Sequence, residues 1–149
     1  MTDFRSLSDR VLASPQIELD DIAAAKAQGV TLVINNRPEG ESPDQTPGPE
    51  IEAAARAAGL DYCAIPITHA GFSEPQVTAM AEALARSNGK VLAYCRSGTR
   101  STLLWALAQA LEGRDPESVA QAAAAAGYDV GPVRQIMDAL AADRAGERD

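Results

Sequence analysis

The chain has 149 residues, a hydrophobic fraction of 46% and a formal net charge of −8. That length suits one folded domain with a sizeable core, and the composition is that of an ordered globular protein. The acidic balance excludes nucleic acid as an expected partner, which needs a basic face, and two cysteines with one histidine cannot build a structural zinc site. Leu7 to Ala13 reads as a short strand or extended lead-in, closed by a Ser14-Pro15 turn. Leu19 to Gln28 reads as a helix, with Asp20 or Asp21 in its first turn and Gly29 as its stop. Val30 to Asn35 is a compact β-branched run, the pattern of a buried parallel strand. From Asn36 to Pro49 the chain turns rich in Pro, Gly and Glu, a loop long enough to be functional or mobile.

Pro49 to Ala58 is predicted helical, with Gly59 ending it, and Tyr62 to Ile67 is predicted as a strand. His69-Ala70-Gly71-Phe72 is a second loop. Glu74 to Ser87 is helical up to Asn88-Gly89, and Val91 to Tyr94 is another strand. A helix then runs to about Glu112, followed by helices at Pro116 to Ala126 and Val130 to Ala142. Strands alternating with helices imply an α/β domain of three layers, a mainly parallel central sheet flanked by helices. The whole chain, 1–149, is expected to form one domain with a core over about residues 3–142 and a charged, frayed tail at 143–149. Parallel sheets take ligands at the carboxyl ends of their strands. The loops after Asn35, Ile67 and Tyr94 all start there.

The segment Val91-Leu92-Ala93-Tyr94-Cys95-Arg96-Ser97-Gly98-Thr99-Arg100-Ser101 carries the chemistry. It is an apolar strand ending in a cysteine, then a short loop with one glycine, then a helix. Loop amides and a helix N-terminus favour a bound anion, and both favour thiolate, the nucleophilic form of cysteine. Arg100 is expected to grip an oxyanion bidentately. Ser97, Gly98 and Thr99 are expected to line the anion cradle, and Arg96 to point outward and recruit the anion or to pair with a surface acid. Ser101 is expected to hydrogen-bond the thiolate or to cap the helix. His69 is a candidate proton donor or leaving-group contact, balanced by a reading as an ordinary surface residue. Arg37 either adds positive potential at the mouth or pairs with Glu39 or Glu41. Cys63 and Trp105 read as core.

Cys-Arg-x-Gly-x-Arg is similar to the loop of rhodanese-type sulfurtransferases. Cysteine-dependent phosphatases place five residues between cysteine and arginine, where this chain has four, Arg96 to Thr99. The wider layout resembles a dual-specificity phosphatase, through Ile65-Pro66-Ile67, Leu92-Ala93-Tyr94-Cys95 and the helical region after Gly127-Tyr128. Together with Asn35-Asn36-Arg37-Pro38-Glu39 and Ser101-Thr102-Leu103-Leu104-Trp105, roughly residues 3 to 142 resemble the bacterial phosphatase-like domain of beta-lactamase-hydrolase-like proteins. That resemblance implies a phosphatase-like fold. In fused relatives it also implies a persulfide-oxidising partner enzyme.

Two departures bear on the expected reaction. The shorter loop removes one amide from the cradle. The position at which phosphatases carry an acid, on the loop after Ile65–Ile67, aligns with His69; Glu39, Glu41 and Asp44 are further candidates for a displaced acid. Sulfur transfer needs no such donor. The leading expectation is therefore a sulfurtransferase in which Cys95 forms a persulfide from thiosulfate or a low-molecular-weight persulfide and passes it to a thiol acceptor. The alternative is a phosphomonoester hydrolase working through a cysteinyl-phosphate, and a third reading is an oxyanion-binding module without turnover. The expected partners are a small anionic substrate and a thiol acceptor. No cofactor and no metal are expected. No stretch is long enough to span a membrane, and Met1 to Ser14 lacks an apolar signal core. A cytoplasmic, reducing location is the expectation.

Overall fold

A computed structural model describes residues 2–147. A five-stranded sheet in the order β1-β2-β5-β3-β4 forms its centre. The strands are β1 (Arg5–Ser6), β2 (Val11–Ser14), β3 (Val30–Asn35), β4 (Asp61–Ala64) and β5 (Lys90–Tyr94). β2, β5, β3 and β4 pair in parallel, and only the edge pair β1–β2 is antiparallel. The expected Leu7–Ala13 strand is broken because the Ser8 hydroxyl accepts from the backbone N–H groups of Arg10 (3.2 Å) and Val11 (3.1 Å), folding the lead-in back as a hairpin. β4 is shorter than its apolar run, for Pro66 has no N–H to extend a ladder. The chain beyond it still hooks onto the end of β3, with Ile65 N–H on Asn35 O and Ile67 N–H on Asn36 O, both at 2.9 Å.

Side chains alternate across the sheet with the strand period of two. Leu12, Val33, Leu92 and Tyr94 pack into one core with α1 (Asp21–Ala27) and α2 (Gly48–Ala57), through Ile22, Ala25, Ile51 and Ala55. Val11, Ala13, Ile34, Val91 and Ala93 face the other core, formed with α3 (Glu74–Arg86), α4 (Thr99–Leu111), α5 (Pro116–Ala125) and α6 (Arg134–Glu147). α4 is buried all round, with Leu104, Ala106, Leu107, Ala108 and Ala110 inaccessible to solvent. That is the mark of a helix enclosed by others rather than lying on a surface. α3 opens with a capping box, Ser73 and Gln76 each bonding the other's backbone N–H.

The expected helix at Val130 begins as a 3-10 turn, Gly131–Val133, and continues to Glu147. Of the charged tail expected at 143–149, residues up to Glu147 lie within this helix, and the last two residues lie outside those described. Among the described residues no helix is long and apolar enough to cross a membrane. The pairing Ser14–Tyr94, Tyr94–Asn35 and Asn35–Ala64 brings the carboxyl ends of four parallel strands level. The loops that carry Cys95 and Asn36 leave the sheet at that rim.

Candidate active site

Cys95 is the first residue past β5 and is fully buried. Its loop is tied to the end of β2, with Cys95 N–H on Ser14 O (3.3 Å) and Gln16 N–H on Arg96 O (3.2 Å). The turn into α4 passes through Gly98 at φ +92°, a left-handed conformation that suits glycine. There the Gly98 N–H points at the Cys95 sulfur, 3.1 Å away. Gly98 is the residue before α4, so the helix's unpaired N–H groups and positive end lie beside the sulfur. Ser97 and Thr99 are exposed and bond to each other through their hydroxyls at 3.0 Å; Arg96 is exposed.

Arg100 does not stand free over this loop. Its Nη1 and Nη2 donate to the two carboxylate oxygens of Glu41 at 2.7 and 2.8 Å, and Nη1 also donates to Ile67 O at 2.7 Å. The bidentate grip expected on a substrate is thus made internally, on a carboxylate 59 residues away. Three of the five guanidinium hydrogens are used, leaving Nε–H and one Nη2–H for an incoming anion. The Glu41 hydrogen bond holds the Arg100 guanidinium above its usual pKa, and the neighbouring Cys95 sulfur adds to the effect.

Arg37, also placed at the mouth by expectation, is buried and held by three partners. It donates to Glu41 (2.9 Å), Gln16 Oε1 (3.0 Å) and Ser42 Oγ (3.1 Å). The pairing with Glu41 is the structural alternative foreseen for it. Glu41, held first by Arg100 and then by Arg37, is lowered to a pKa of about 2. The Asn36–Pro49 loop is accordingly pinned by its own polar contacts.

Ser101 corrects its expectation on both counts. Its hydroxyl donates to Asn36 Oδ1 at 2.7 Å, not to the thiol, and Gly98 rather than Ser101 occupies the cap position. Asn36 in turn donates to Ile65 O at 2.9 Å, so this buried chain couples α4 to the ends of β3 and β4. His69 lies exposed in a turn closed by the Thr68–Gly71 bridge. Among the displaced acids, Glu39 is held by the Gly48 N–H at 2.8 Å and Asp44 by the Ser42 hydroxyl at 2.7 Å, which lowers the Asp44 carboxyl further. Cys63 is half-buried on β4, where burial pushes its thiol pKa up. Gln16 is a site component that no motif in the sequence marks, while Asn36 and Ile67 lie in motifs whose sequence assigns them no role in the site.

Residues 3–112 match the model of the phosphatase-like domain of beta-lactamase hydrolase-like proteins. The chain belongs to this family. A curated beta-lactamase hydrolase-like protein of Xylella fastidiosa is 35% identical over 126 residues, which are 84% of this chain and 29% of the relative. Its counterpart in Agrobacterium fabrum is 36% identical over 108 residues, 72% of this chain and 25% of the relative. The chain therefore spans less than a third of the length of the curated relatives it matches. Among solved structures, a candidate phosphatase from Neisseria meningitidis superposes with a TM-score of 0.82 at 28% identity, over 94% of this chain and 99% of that one. A candidate phosphatase from Shewanella putrefaciens gives 0.74 at 24% identity, over 95% and 92%. Kinase-associated phosphatase, with serine in place of its catalytic-site cysteine, gives 0.70 at 18% identity over 95% and 96%, a likeness of fold. The phosphatase-like domain has the dual-specificity phosphatase fold.

Proposed function

We propose that this domain is a cysteine-dependent phosphatase. The observation that carries the reading is the Gly98 N–H at 3.1 Å from the Cys95 sulfur, with the paired Arg100 guanidinium alongside, in a family of phosphatase-like domains. The thiolate attacks phosphorus, the P–O bond to the leaving group breaks, and that oxygen carries the electron pair away. Loop amides and the two spare hydrogens of Arg100 hold the phosphoryl oxygens as charge builds on them. Water then attacks the cysteinyl-phosphate, the P–S bond breaks, and phosphate and the thiolate are released. The carboxylates near the loop are committed: Glu41 to two arginines, Glu39 to Gly48, Asp44 to Ser42. Glu41 and Asp44 are held in the charged form by these partners, so neither is a ready proton donor near neutral pH. The favoured substrates are therefore phosphates with stable leaving groups, aryl or acyl phosphates ahead of alkyl ones, with Glu39 and exposed His69 the remaining candidates for the donor role.

Sulfur transfer is the second reading, and the comparisons lend it no support. What favours it is that same commitment of the carboxylates, because attack on the outer sulfur of thiosulfate expels sulfite without a proton donor. The product would be a Cys95 persulfide, handed on to a thiol. Turnover of an aryl phosphate should be measured beside turnover of thiosulfate with a thiol acceptor, for wild type and Cys95→Ala. Phosphate release lost in the mutant, without persulfide formation, is the expected outcome. Cys95-dependent sulfite release with negligible phosphate would establish sulfur transfer. Anion binding with neither turnover would leave a binding module.

A further inference from the structure

The loop that cradles the anion is pressed from behind by a residue that lies beyond the segment matched by the family model. Tyr128 is 8% exposed, and its hydroxyl donates to Ser97 O at 3.3 Å. A Cβ added at Gly98 would run into that same hydroxyl and ring, so the phenol lies directly against the turn. The Ser97 carbonyl and the Gly98 N–H belong to one peptide unit, which is planar and trans, so the two groups point in opposite directions. Holding the carbonyl outward on Tyr128 therefore aims the N–H inward, at the Cys95 sulfur. If that unit flipped, a carbonyl oxygen would replace the donor beside the thiolate and repel any bound oxyanion.

Tyr128 is itself held in two ways. α5 ends in a Schellman arrangement, with Gly127 N–H on Ala124 O (2.9 Å), Tyr128 N–H on Ala123 O (2.9 Å) and Gly127 at φ +93°. This fixes where the ring leaves the backbone. The Arg5 guanidinium covers its outer face, 5.3 Å from the centroid, and is anchored to Ala126 O at 3.3 Å. We infer that Tyr128, backed by Arg5, is a positioning residue that sets the Ser97–Gly98 peptide for oxyanion binding at Cys95. The inference rests on the reading of Cys95 as the floor of an anion site, but not on which anion is processed.

The test is hydrogen exchange of the Gly98 amide together with the affinity for inorganic phosphate, in wild type and Tyr128→Phe. Phe keeps the ring and removes only the hydroxyl. The Gly98 amide should exchange roughly tenfold faster relative to the Leu104 and Leu107 amides of α4, and phosphate should bind roughly three- to tenfold more weakly. A merely structural role would speed exchange throughout α4 alike. Unchanged Gly98 exchange would overturn the proposal, as would an α4-wide rise equal to that at Gly98. If Tyr128→Phe does not fold, Arg5→Gln, which leaves the hydroxyl in place and loosens the ring, should move both readouts in the same sense and by less; no movement there overturns the proposal equally. Phosphate failing to bind the wild type, while Gly98 exchange still depends on Tyr128, would remove the anion-site reading and with it this one.

Discussion

Arg100 reaches the anion loop already engaged, since Glu41 takes a hydrogen from each terminal nitrogen and Ile67 O takes a third. The geometry leaves the guanidinium one fixed edge with which to meet an oxyanion, and Glu41 serves by remaining charged. Its folded pKa, about 2, lies below the ordinary carboxylate range, so its contribution to stability is present above that range and is lost as pH falls towards 2. Glu41→Gln should lower the unfolding free energy near neutrality by on the order of 2 kcal/mol, and the deficit should shrink between about pH 5 and pH 2. Urea unfolding of both proteins across that range checks it, and a deficit independent of pH would refute the assignment. Ser101→Ala should cost roughly 1–3 kcal/mol in the same assay, because it strands the buried Asn36 oxygen without its donor. Cysteine, glycine and arginine at their spacing were legible in the sequence because a strand–loop–helix anion site needs those types in that order. Their partners were not. Gln16, Asn36 and Glu41 come from the segments after other strands, and only the folded rim sets Glu41 on Arg100, Asn36 on Ser101 and the Gln16 N–H on Arg96 O. Ser101 was misread for the same reason: a hydroxyl at a helix start has a default role, and Asn36, 65 residues away, displaces it.

Helix ends were the most readable elements, because their signals are local. Gly29, Gly59 and Gly127 stand in the left-handed conformation just past α1, α2 and α5, where glycine carries no Cβ penalty. The strands of the parallel core were read as apolar runs, and β3 has the predicted limits, Val30–Asn35. Reading failed where a side chain or a proline interrupts pairing, at Ser8 before β2 and at Pro66 after β4. At the start of α4 the element and the site are the same object. Gly98 there must adopt φ +92° and must also leave room for Tyr128. Gly98→Ala meets both constraints at once, so it should destabilise the fold by about 1–3 kcal/mol and abolish measurable phosphate binding. Calorimetric melting and a phosphate titration separate the two effects. Phosphate affinity kept at the wild-type value would mean that the turn does not shape the cradle.

The strand order β1-β2-β5-β3-β4 follows from no local signal; it is fixed by which apolar faces cover which, a property of the whole molecule. The same holds for the limits of the fold. The family model matches residues 3–112 and stops at the end of α4, yet α4 is enclosed on every side. Val119, Ala123, Tyr128, Val130, Val133 and Met137, all from the segment that follows, share one core with Leu103, Leu104 and Leu107. Emptying the space of a single large buried side chain costs about 2–5 kcal/mol, and a domain of this size has only about 5–15 kcal/mol to lose. Removing residues 113–149 would uncover that whole group and take Tyr128 from behind the anion loop. A chain ending at Glu112 should therefore show no cooperative urea transition and should expose its apolar surface to a hydrophobic dye, while the full chain unfolds in one step. A truncated chain that melts cooperatively and still binds phosphate would make α5 and α6 an appendage. It would also contradict the placement of Tyr128 in the machinery of the site.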